Sequence, residues 1–256
     1  MLLTVLGCSG SVPGPTTPAS GYLVEADDFL MVMDLGNGTF AELQCYCDPF
    51  LLGALLLSHL HPDHCADVTA LTVFRKYHPK VVKAGLPPRL PVYAPGEAPD
   101  RFARAYSPDR ADLANTDLSD VFDFRALSPD TFQIGPFEVT VARVVHPCEA
   151  YGFRVTYAGK SLVYTGDSGP CDALDKLADS ADVLLAEASW THEPDRPEKM
   201  HLSGRQAGEL AQRAGVGRLL ITHVAPWADR EAILAEAQSA YSGDARLVET
   251  GDIYNV

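Results

Sequence analysis

Cationic side chains are scarce in this sequence: 20 Lys and Arg stand against 34 Asp and Glu, a formal net charge of −14. That balance argues against a broad electrostatic footprint for duplex nucleic acid. A small anionic ligand stays open, because bound cations, which the formal count omits, can make one site locally positive. Long apolar runs are missing too. Nothing approaches the ~18 residues that a membrane span needs, so no membrane partner is expected. The stretch from Met1 to Cys8 has neither the basic flank nor the length of a lipoprotein signal, and reads as a first strand. The six cysteines (Cys8, Cys45, Cys47, Cys65, Cys148 and Cys171) form no C-x-x-C pair and no framework spacing. They read as reduced thiols of a cytoplasmic protein, with Cys45 and Cys47 as small packing residues rather than a metal clip. No repeat of fixed period occurs, and residues 1–256 suffice for a single domain with a large core.

Histidine, by contrast, is concentrated. Three imidazoles and a carboxylate fall within Ser58-His59-Leu60-His61-Pro62-Asp63-His64, directly after the apolar run Leu55-Leu56-Leu57. Crowding four ionisable groups costs desolvation and repulsion unless a cation compensates. Imidazole nitrogen and carboxylate oxygen are zinc-type ligands, but H-x-H-x-D-H is too tight for one tetrahedral site to use all four. His59 and His61, two apart, point one way if the extended geometry continues; Asp63 and His64 face a second position around the next turn. A pair of metals fed by one loop is the natural reading. A merely solvated His-rich loop is disfavoured by its place between a buried strand and a helix with apolar patterning.

Along the chain, strand patterns cover Leu2–Leu6, a hairpin of Tyr22–Ala26 and Phe29–Asp34, and the stretch from Phe50 to Leu57. Thr39 is expected to cap a helix over Phe40–Tyr46. Asp67–Tyr77 reads as a helix with Val68, Leu71, Thr72 and Arg75 at helical spacing, and with Arg75 and Lys76 on a solvated face. Pro79–Pro99 is Pro-rich with one strand, Pro91–Ala94. Arg101–Tyr106 is a short helix and Asn115–Asp123 an acidic loop. The β signal returns at Thr131–Ile134, Phe137–Val145, Tyr151–Tyr157 and Ser161–Tyr164. After it come a helix over Asp172–Ala178, a strand at Val183–Ala186, and a helix from the capping box Ser203/Gln206 to about Gly215. Arg218–Thr222 is a strand, Asp229 caps a last helix to about Tyr241, and Arg246–Glu249 is a closing strand. Two strand groups, each followed by helices, predict an α/β fold, an αββα sandwich.

Three further strand ends carry ligand-type residues: His146, Asp167 and His223. Each alone is weak, since a His or a Gly-Asp turn after a strand is commonplace. Together they follow the His loop in order, and loops at one sheet edge can converge. One metal would take His59, His61 and His146; the other would take Asp63, His64 and His223, with Asp167 bridging. Each keeps an open position for water.

These residues carry a resemblance. The chain is similar, along essentially its whole length, to metallo-β-lactamase-superfamily hydrolases, through Asp34; His59, His61, Asp63 and His64; His146; Asp167; and His223. Within them it resembles the ribonuclease Z-like phosphodiesterase branch, by His201-Leu202-Ser203-Gly204 and by Glu187 at a strand end, the Glu that in this branch orients the His. Longer strings resemble an actinobacterial group of cyclic-nucleotide (cyclic AMP) phosphodiesterases. They are Leu6 to Ser11, Pro18 to Leu23, Tyr77-His78-Pro79, Glu187 to His192, and His223-Val224-Ala225-Pro226-Trp227.

Departures count as well. Ribonuclease Z carries a tRNA-gripping arm between the motifs matching His146 and Asp167. Here the interval is filled by two strands and a turn, so structured RNA is a weaker substrate guess. The Cys-rich structural zinc site of phosphoribosyl cyclic phosphodiesterases is not supplied by Cys8. β-Lactamases proper use Cys or Ser at the place of Asp167. Glyoxalase II-type thioesterases would not need His201 and Glu187 as a pair.

The resemblance implies two divalent ions, zinc first, with manganese or iron tolerated by the ligand set. Ions ~3.5–4 Å apart can share a hydroxide and clamp the attacking and leaving oxygens of a phosphoryl displacement. Asp63 is placed to orient that hydroxide, while His201, held by Glu187, delivers the leaving-group proton. Asp34 fixes the tautomer of a ligating His. Ser9 and Ser11 could contact phosphate or simply form a tight turn; Trp190 and Trp227 could stack a base or simply pack. The expected substrate is a small phosphodiester, a 3′,5′-cyclic nucleotide. The alternatives are an endoribonuclease acting on RNA 3′ ends and a non-catalytic binding module, disfavoured because no ligand position is lost. A homodimer stays open.

Overall fold

Alternation places the first residues. In β1 (Leu2–Gly7), β2 (Gly21–Ala26) and β3 (Phe29–Leu35), the side chains of Leu3, Val5, Val24, Met31 and Met33 enter one apolar layer, while Leu6, Leu23, Leu30 and Val32 enter another. A strand buried on both faces reads as a continuous apolar run. Asp27 and Asp28 turn the β2–β3 hairpin with φ of 49° and 60°, the double left-handed turn that two-residue hairpins favour. The protein, here a computed structural model, is described over residues 1–85 and 87–256.

After α1 (Thr39–Leu43) the chain enters β4 (Leu52–Leu56), the one-turn helix α2 (Pro62–Cys65), α3 (Val68–Tyr77), α4 (Pro79–Ala84), β5 (Leu90–Ala94), α5 (Ala98–Tyr106), α6 (Arg110–Leu113) and β6 (Phe122–Ala126). The second half comprises β7 (Asp130–Ile134), β8 (Phe137–Arg143), β9 (Tyr151–Tyr157), β10 (Lys160–Tyr164), α7 (Asp172–Ala178), β11 (Val183–Glu187), α8 (Gly204–Ala214), β12 (Arg218–Thr222), α9 (Arg230–Ala240), β13 (Asp244–Leu247) and β14 (Ile253–Asn255).

Two seven-stranded sheets result, in the orders β14-β1-β2-β3-β4-β5-β6 and β13-β12-β11-β10-β9-β8-β7. Each runs through antiparallel pairings and then turns parallel, at β3–β4 and at β10–β11. The central core joins the sheets through Met31, Met33, Phe137, Phe153, Leu162 and Leu185. Helices α1, α3 and α5 cover the outer face of the first sheet, and α7, α8 and α9 that of the second. The four layers agree with the expected αββα sandwich. No helix among the described residues is long and apolar enough to cross a membrane.

Several local expectations need correction. Thr39 is not the helix cap: Gly38 takes that position with φ 88°, and the Thr39 hydroxyl donates to the Gly36 carbonyl at 2.7 Å. The helix also ends at Leu43 rather than Tyr46. Arg75 is not on a solvated face. It is 3% exposed, its Nη2 donates to the Pro88 carbonyl at 2.6 Å, and burial pulls its pKa down. The spacing with Val68, Leu71 and Thr72 had put it inward; its charge pointed the other way. Cys45 is exposed rather than packed. Helices α4 and α6 and strands β6 and β14 were not expected, and the closing strand runs over Asp244–Leu247 instead of Arg246–Glu249. These are short elements held by neighbours, as β14 is by its three pairings with β1. The capping box of α8 is present in full.

Candidate metal centre

The ligand-type residues singled out in the sequence gather at or after the C-terminal ends of strands, at one edge of the sandwich. His59 and His61 follow β4, His146 follows β8, Asp167 follows β10, Glu187 ends β11 and His223 follows β12. Pro62 opens α2 with a fixed φ, and the single turn after it carries Asp63 and His64 inward, both buried. Seven non-glycine residues among those described have positive φ. Asp27, Asp28 and Ala158 turn hairpins and Ser180 follows a helix; the remaining three, Ser11 (65°), Asp34 (57°) and His223 (56°), belong to this edge. Left-handed backbone costs such residues about 1–3 kcal/mol each, and it persists where surroundings over-determine it.

The side chains converge. His59 Nε2 lies 3.0 Å from His61 Nδ1, which lies 3.2 Å from His146 Nε2. On the other side, His223 Nε2 is 3.2 Å from Asp63 Oδ2 and 3.3 Å from Asp167 Oδ2, and His64 Nε2 is 3.2 Å from Asp167 Oδ1. Asp167 Oδ2 also reaches to 3.7 Å from His59 Nε2, so this carboxylate stands between the two groups. Donor atoms of His59, His61, His146 and Cys148 all fall within 4.8 Å of one another, as do those of Asp63, His64, Asp167 and His223.

Ring orientation is set from behind. Nδ1 of His59 meets Ser58 Oγ at 3.1 Å, Nδ1 of His64 meets Asp34 Oδ2 at 2.7 Å, Nδ1 of His146 meets the Met200 carbonyl at 2.9 Å, and Nδ1 of His223 meets Ser189 Oγ at 3.0 Å. Each of these four rings therefore turns Nε2 inward, the outer hydrogen bonding that fixes tautomers at metal sites. Asp34 accepts in addition from the Ser58 backbone N–H, the Ser58 hydroxyl and the Tyr164 hydroxyl, each at 2.7 Å.

Electrostatics fit a cation. Burial, followed by the neighbouring imidazoles, holds His59 well below its ordinary pKa, and burial lowers His61 and His146, so these rings are neutral donors. At the second group burial opposes charge, yet Asp167 and Asp34 outweigh it and drive His64 well above its usual value. Asp63 and Asp167 are held low despite burial, by His223 and His64. Two buried atoms, His64 Nε2 and Asp167 Oδ1, come within 3.2 Å of each other yet lack hydrogen-bond geometry and have no hydrogen-bond partner among the described residues. Buried polar atoms left so are rare. A shared divalent ion would satisfy both.

Glu187, fully buried, accepts from the Ser168 N–H at 2.8 Å and the Ser189 hydroxyl at 3.1 Å, and its Oε1 lies 3.1 Å from His201 Nδ1. Burial alone would lower His201; the Glu187 charge and hydrogen bond, with help from Asp167, raise it to about 9. His201 and Ser11 line a cavity of about 220 Å³ together with His61, Asp63, His146 and His223. His201 also borders a second hollow of about 180 Å³ walled by Trp190 and Arg196. The Trp190 ring stands edge-on to His201 at 5.1 Å, with the Arg196 guanidinium 5.5 Å over its face.

A model of the β-lactamase superfamily domain matches residues 48–224, which holds every ligand-type residue except Asp34. The chain belongs to the metallo-β-lactamase superfamily. An uncharacterized protein of Mycobacterium leprae is 45% identical over 99% of this chain and 88% of its own length. The ribonuclease Z of Mycobacterium bovis is 31% identical over 88% of this chain and 86% of its own. The crystal structure of the metallo-β-lactamase fold protein YhfI from Bacillus subtilis superposes with a TM-score of 0.86 at 27% identity, covering 99% of each chain. With these relatives and its His/Asp cluster, the protein is a metal-dependent hydrolase.

In this hydrolase, the other residues singled out fall differently. Ser9 turns its hydroxyl to the Val12 carbonyl at 2.7 Å and lines a neighbouring hollow with Arg230 and Glu249. Trp227 is 72% exposed and does not line the 220 Å³ cavity. Sequence reasoning missed Ser58, Tyr164, Ser189 and the Met200 carbonyl, which hold the ligand-type residues from behind, and Cys148, whose sulfur joins the first group. Ser58, Ser189 and Cys148 each lie within two positions of a named motif residue, the one signal that could have pointed to them.

Proposed function

We propose that this chain is a binuclear-metal phosphodiesterase that hydrolyses a small phosphodiester, a 3′,5′-cyclic nucleotide such as cyclic AMP, to the 5′-monophosphate. His59, His61 and His146 would hold one divalent ion, zinc for preference, and Asp63, His64 and His223 the other, with Asp167 between them. Bound ions supply the Lewis acidity that activates water and offsets charge building on the phosphoryl oxygens.

The observation that carries the reading is His201, held by Glu187 on the wall of the cavity onto which both donor groups open. Departure of an alkoxide is the hard step, because its conjugate acid is weak. Glu187 keeps the ring protonated and engages Nδ1, leaving Nε2 to pass a proton to the leaving oxygen. Asp63 lines the same cavity and orients the attacking water. Trp190, beside His201, walls the adjoining 180 Å³ hollow and does not line the 220 Å³ cavity. A cavity of about 220 Å³ with no Lys or Arg in its wall suits a compact substrate better than a polyanion. The free thiols suit a reducing, cytoplasmic setting.

A second reading, cleavage of RNA 3′ ends, draws on the ribonuclease Z relative. Against it, β9 and β10 with their Ala158-Gly159 turn fill the interval where ribonuclease Z carries its arm, and the net charge is −14. Assay of the metal-loaded protein on cyclic AMP, other cyclic nucleotides, dinucleotides and precursor tRNA separates the two. Turnover of cyclic AMP that chelation abolishes supports the proposal. Salt-sensitive cleavage of precursor tRNA with no turnover of cyclic nucleotides overturns it.

A further inference from the structure

The geometry points to Cys148 as a fourth, sulfur donor that completes the His59–His61–His146 position and makes the two metal positions chemically unequal. The inference rests on the reading of this edge as a metal centre. Cys148 lies in the loop between β8 and β9, two residues past His146, with Pro147 between them. Its Sγ and one nitrogen from each of the three histidines form a set whose members are all within 4.8 Å of one another. A tetrahedral site with nitrogens at ~2.0–2.1 Å and sulfur at ~2.3 Å needs donor separations of roughly 3.3–3.6 Å. Two of the nitrogen–nitrogen edges already measure 3.0 and 3.2 Å. Separations within 4.8 Å exceed the ~3.6 Å nitrogen–sulfur edge of such a shell by no more than about 1.2 Å.

Among the described residues, the other five thiols are each accounted for. Cys8 donates to the Val248 carbonyl, Cys65 to that of His61 and Cys45 to that of Ala41, while Cys171 meets the Ser168 hydroxyl. Cys47 packs against an apolar cluster. Cys148 has no side-chain hydrogen bond among the described residues and joins none of the three apolar clusters. Its sulfur lies within 4.8 Å of a nitrogen of each of the three imidazoles.

The chemistry follows from donor softness. Ligation displaces the thiol proton to solvent and leaves a thiolate on the ion. Three nitrogens and a sulfur favour zinc, cobalt or cadmium over magnesium and manganese, whereas Asp63, His64, Asp167 and His223 offer two carboxylates to a harder ion. The first position would gain a fourth protein donor of a softer kind, while Asp167 faces both positions. The site is thereby built for two different ions, or for one ion species held with two affinities.

Cobalt(II), added to the chelator-stripped full chain, is the probe. The expected result is a near-ultraviolet sulfur-to-cobalt charge-transfer band in the wild type. Cys148→Ser loses that band but keeps the visible d–d bands, and it binds its first equivalent at least about tenfold more weakly. Zinc should also slow alkylation of Cys148 by iodoacetamide, followed by peptide mass mapping, while exposed Cys45 reacts at an unchanged rate. Visible bands without a charge-transfer band in the wild type, or a charge-transfer band that survives Cys148→Ser, overturn the inference. Absence of both band types overturns the metal-centre reading itself, and this inference with it.

Discussion

Asp34 and His64 meet at 2.7 Å, Oδ2 to Nδ1, both fully buried and thirty positions apart in sequence. The contact ties this buried carboxylate to the candidate site. Asp34 adopts a left-handed backbone that it would not choose unaided, and four hydrogen bonds hold it there. Asp34→Asn keeps the shape but removes the charge and replaces one acceptor with an N–H donor. Metal affinity is expected to fall ~10–100-fold, as for other lost outer partners of a ligating His. Competition against a chromophoric chelator measures it. Unchanged affinity would leave Asp34 a purely structural role.

His201 makes a different demand. If it donates the proton as proposed, it matters in proportion to how badly the leaving group needs that proton. His201→Ala should cut turnover of cyclic AMP by ~10²–10⁴-fold. It should cost far less on bis(p-nitrophenyl) phosphate, whose leaving phenolate departs unprotonated. Metal content, read by elemental analysis, should not change. Equal losses on both substrates, together with lost metal, would put His201 among the ligands instead.

Gly10 packs against the strained turn at His223. A Cβ at position 10 would fall 2.3 Å from the His223 carbonyl oxygen and 2.9 Å from its Nδ1, neither of which can yield without moving the ring. Gly10→Ala should therefore destabilise the fold by ~1–3 kcal/mol, the usual cost of over-packing, and lower metal occupancy as well. Urea unfolding and metal analysis of the same sample check both. Wild-type occupancy in the variant would show that His223 is positioned by other contacts.

Strand ends and ligand spacing made the site legible in the sequence, because buried strands and clustered histidines each leave a local mark. The αββα layering was legible too, from runs such as Leu55-Leu56-Leu57. What was not legible depends on partners far along the chain. Strand β14 is three residues long and exists through its pairing with β1. The Tyr164 hydroxyl reaches Asp34 across 130 positions. Arg75 shows two local signals in conflict, helical spacing against charge, and spacing prevailed. Arg75→Ala should cost ~1–3 kcal/mol, chiefly by emptying the space that its buried stem fills. Lys76→Ala, which breaks a partly exposed pair with Asp120, should cost under ~1 kcal/mol. Denaturant midpoints of the two variants compare them directly.

Two buried thiols contribute to the fall of stability at alkaline pH. Burial pushes Cys8 up to about 11 and Cys65 up to about 12, from an ordinary value of 9.0, and each is 2% exposed. The folded chain thus holds these two protons more tightly than the unfolded chain does. Below pH 9 both states are protonated and the contribution is complete; as pH rises from there toward 11–12, the unfolded state loses protons that the folded state keeps. Stability must fall through that window, by ~1.4 kcal/mol per pH unit for each thiol. Cys65→Ala carries a fixed cavity cost but lacks one of the two slopes. The stability gap between wild type and Cys65→Ala should therefore narrow between pH 9 and about 11, measured by urea unfolding at each pH. At pH 8 native Cys65 should resist iodoacetamide while exposed Cys45 reacts. A gap that stays constant with pH would mean that Cys65 ionises in the fold as easily as in the open chain.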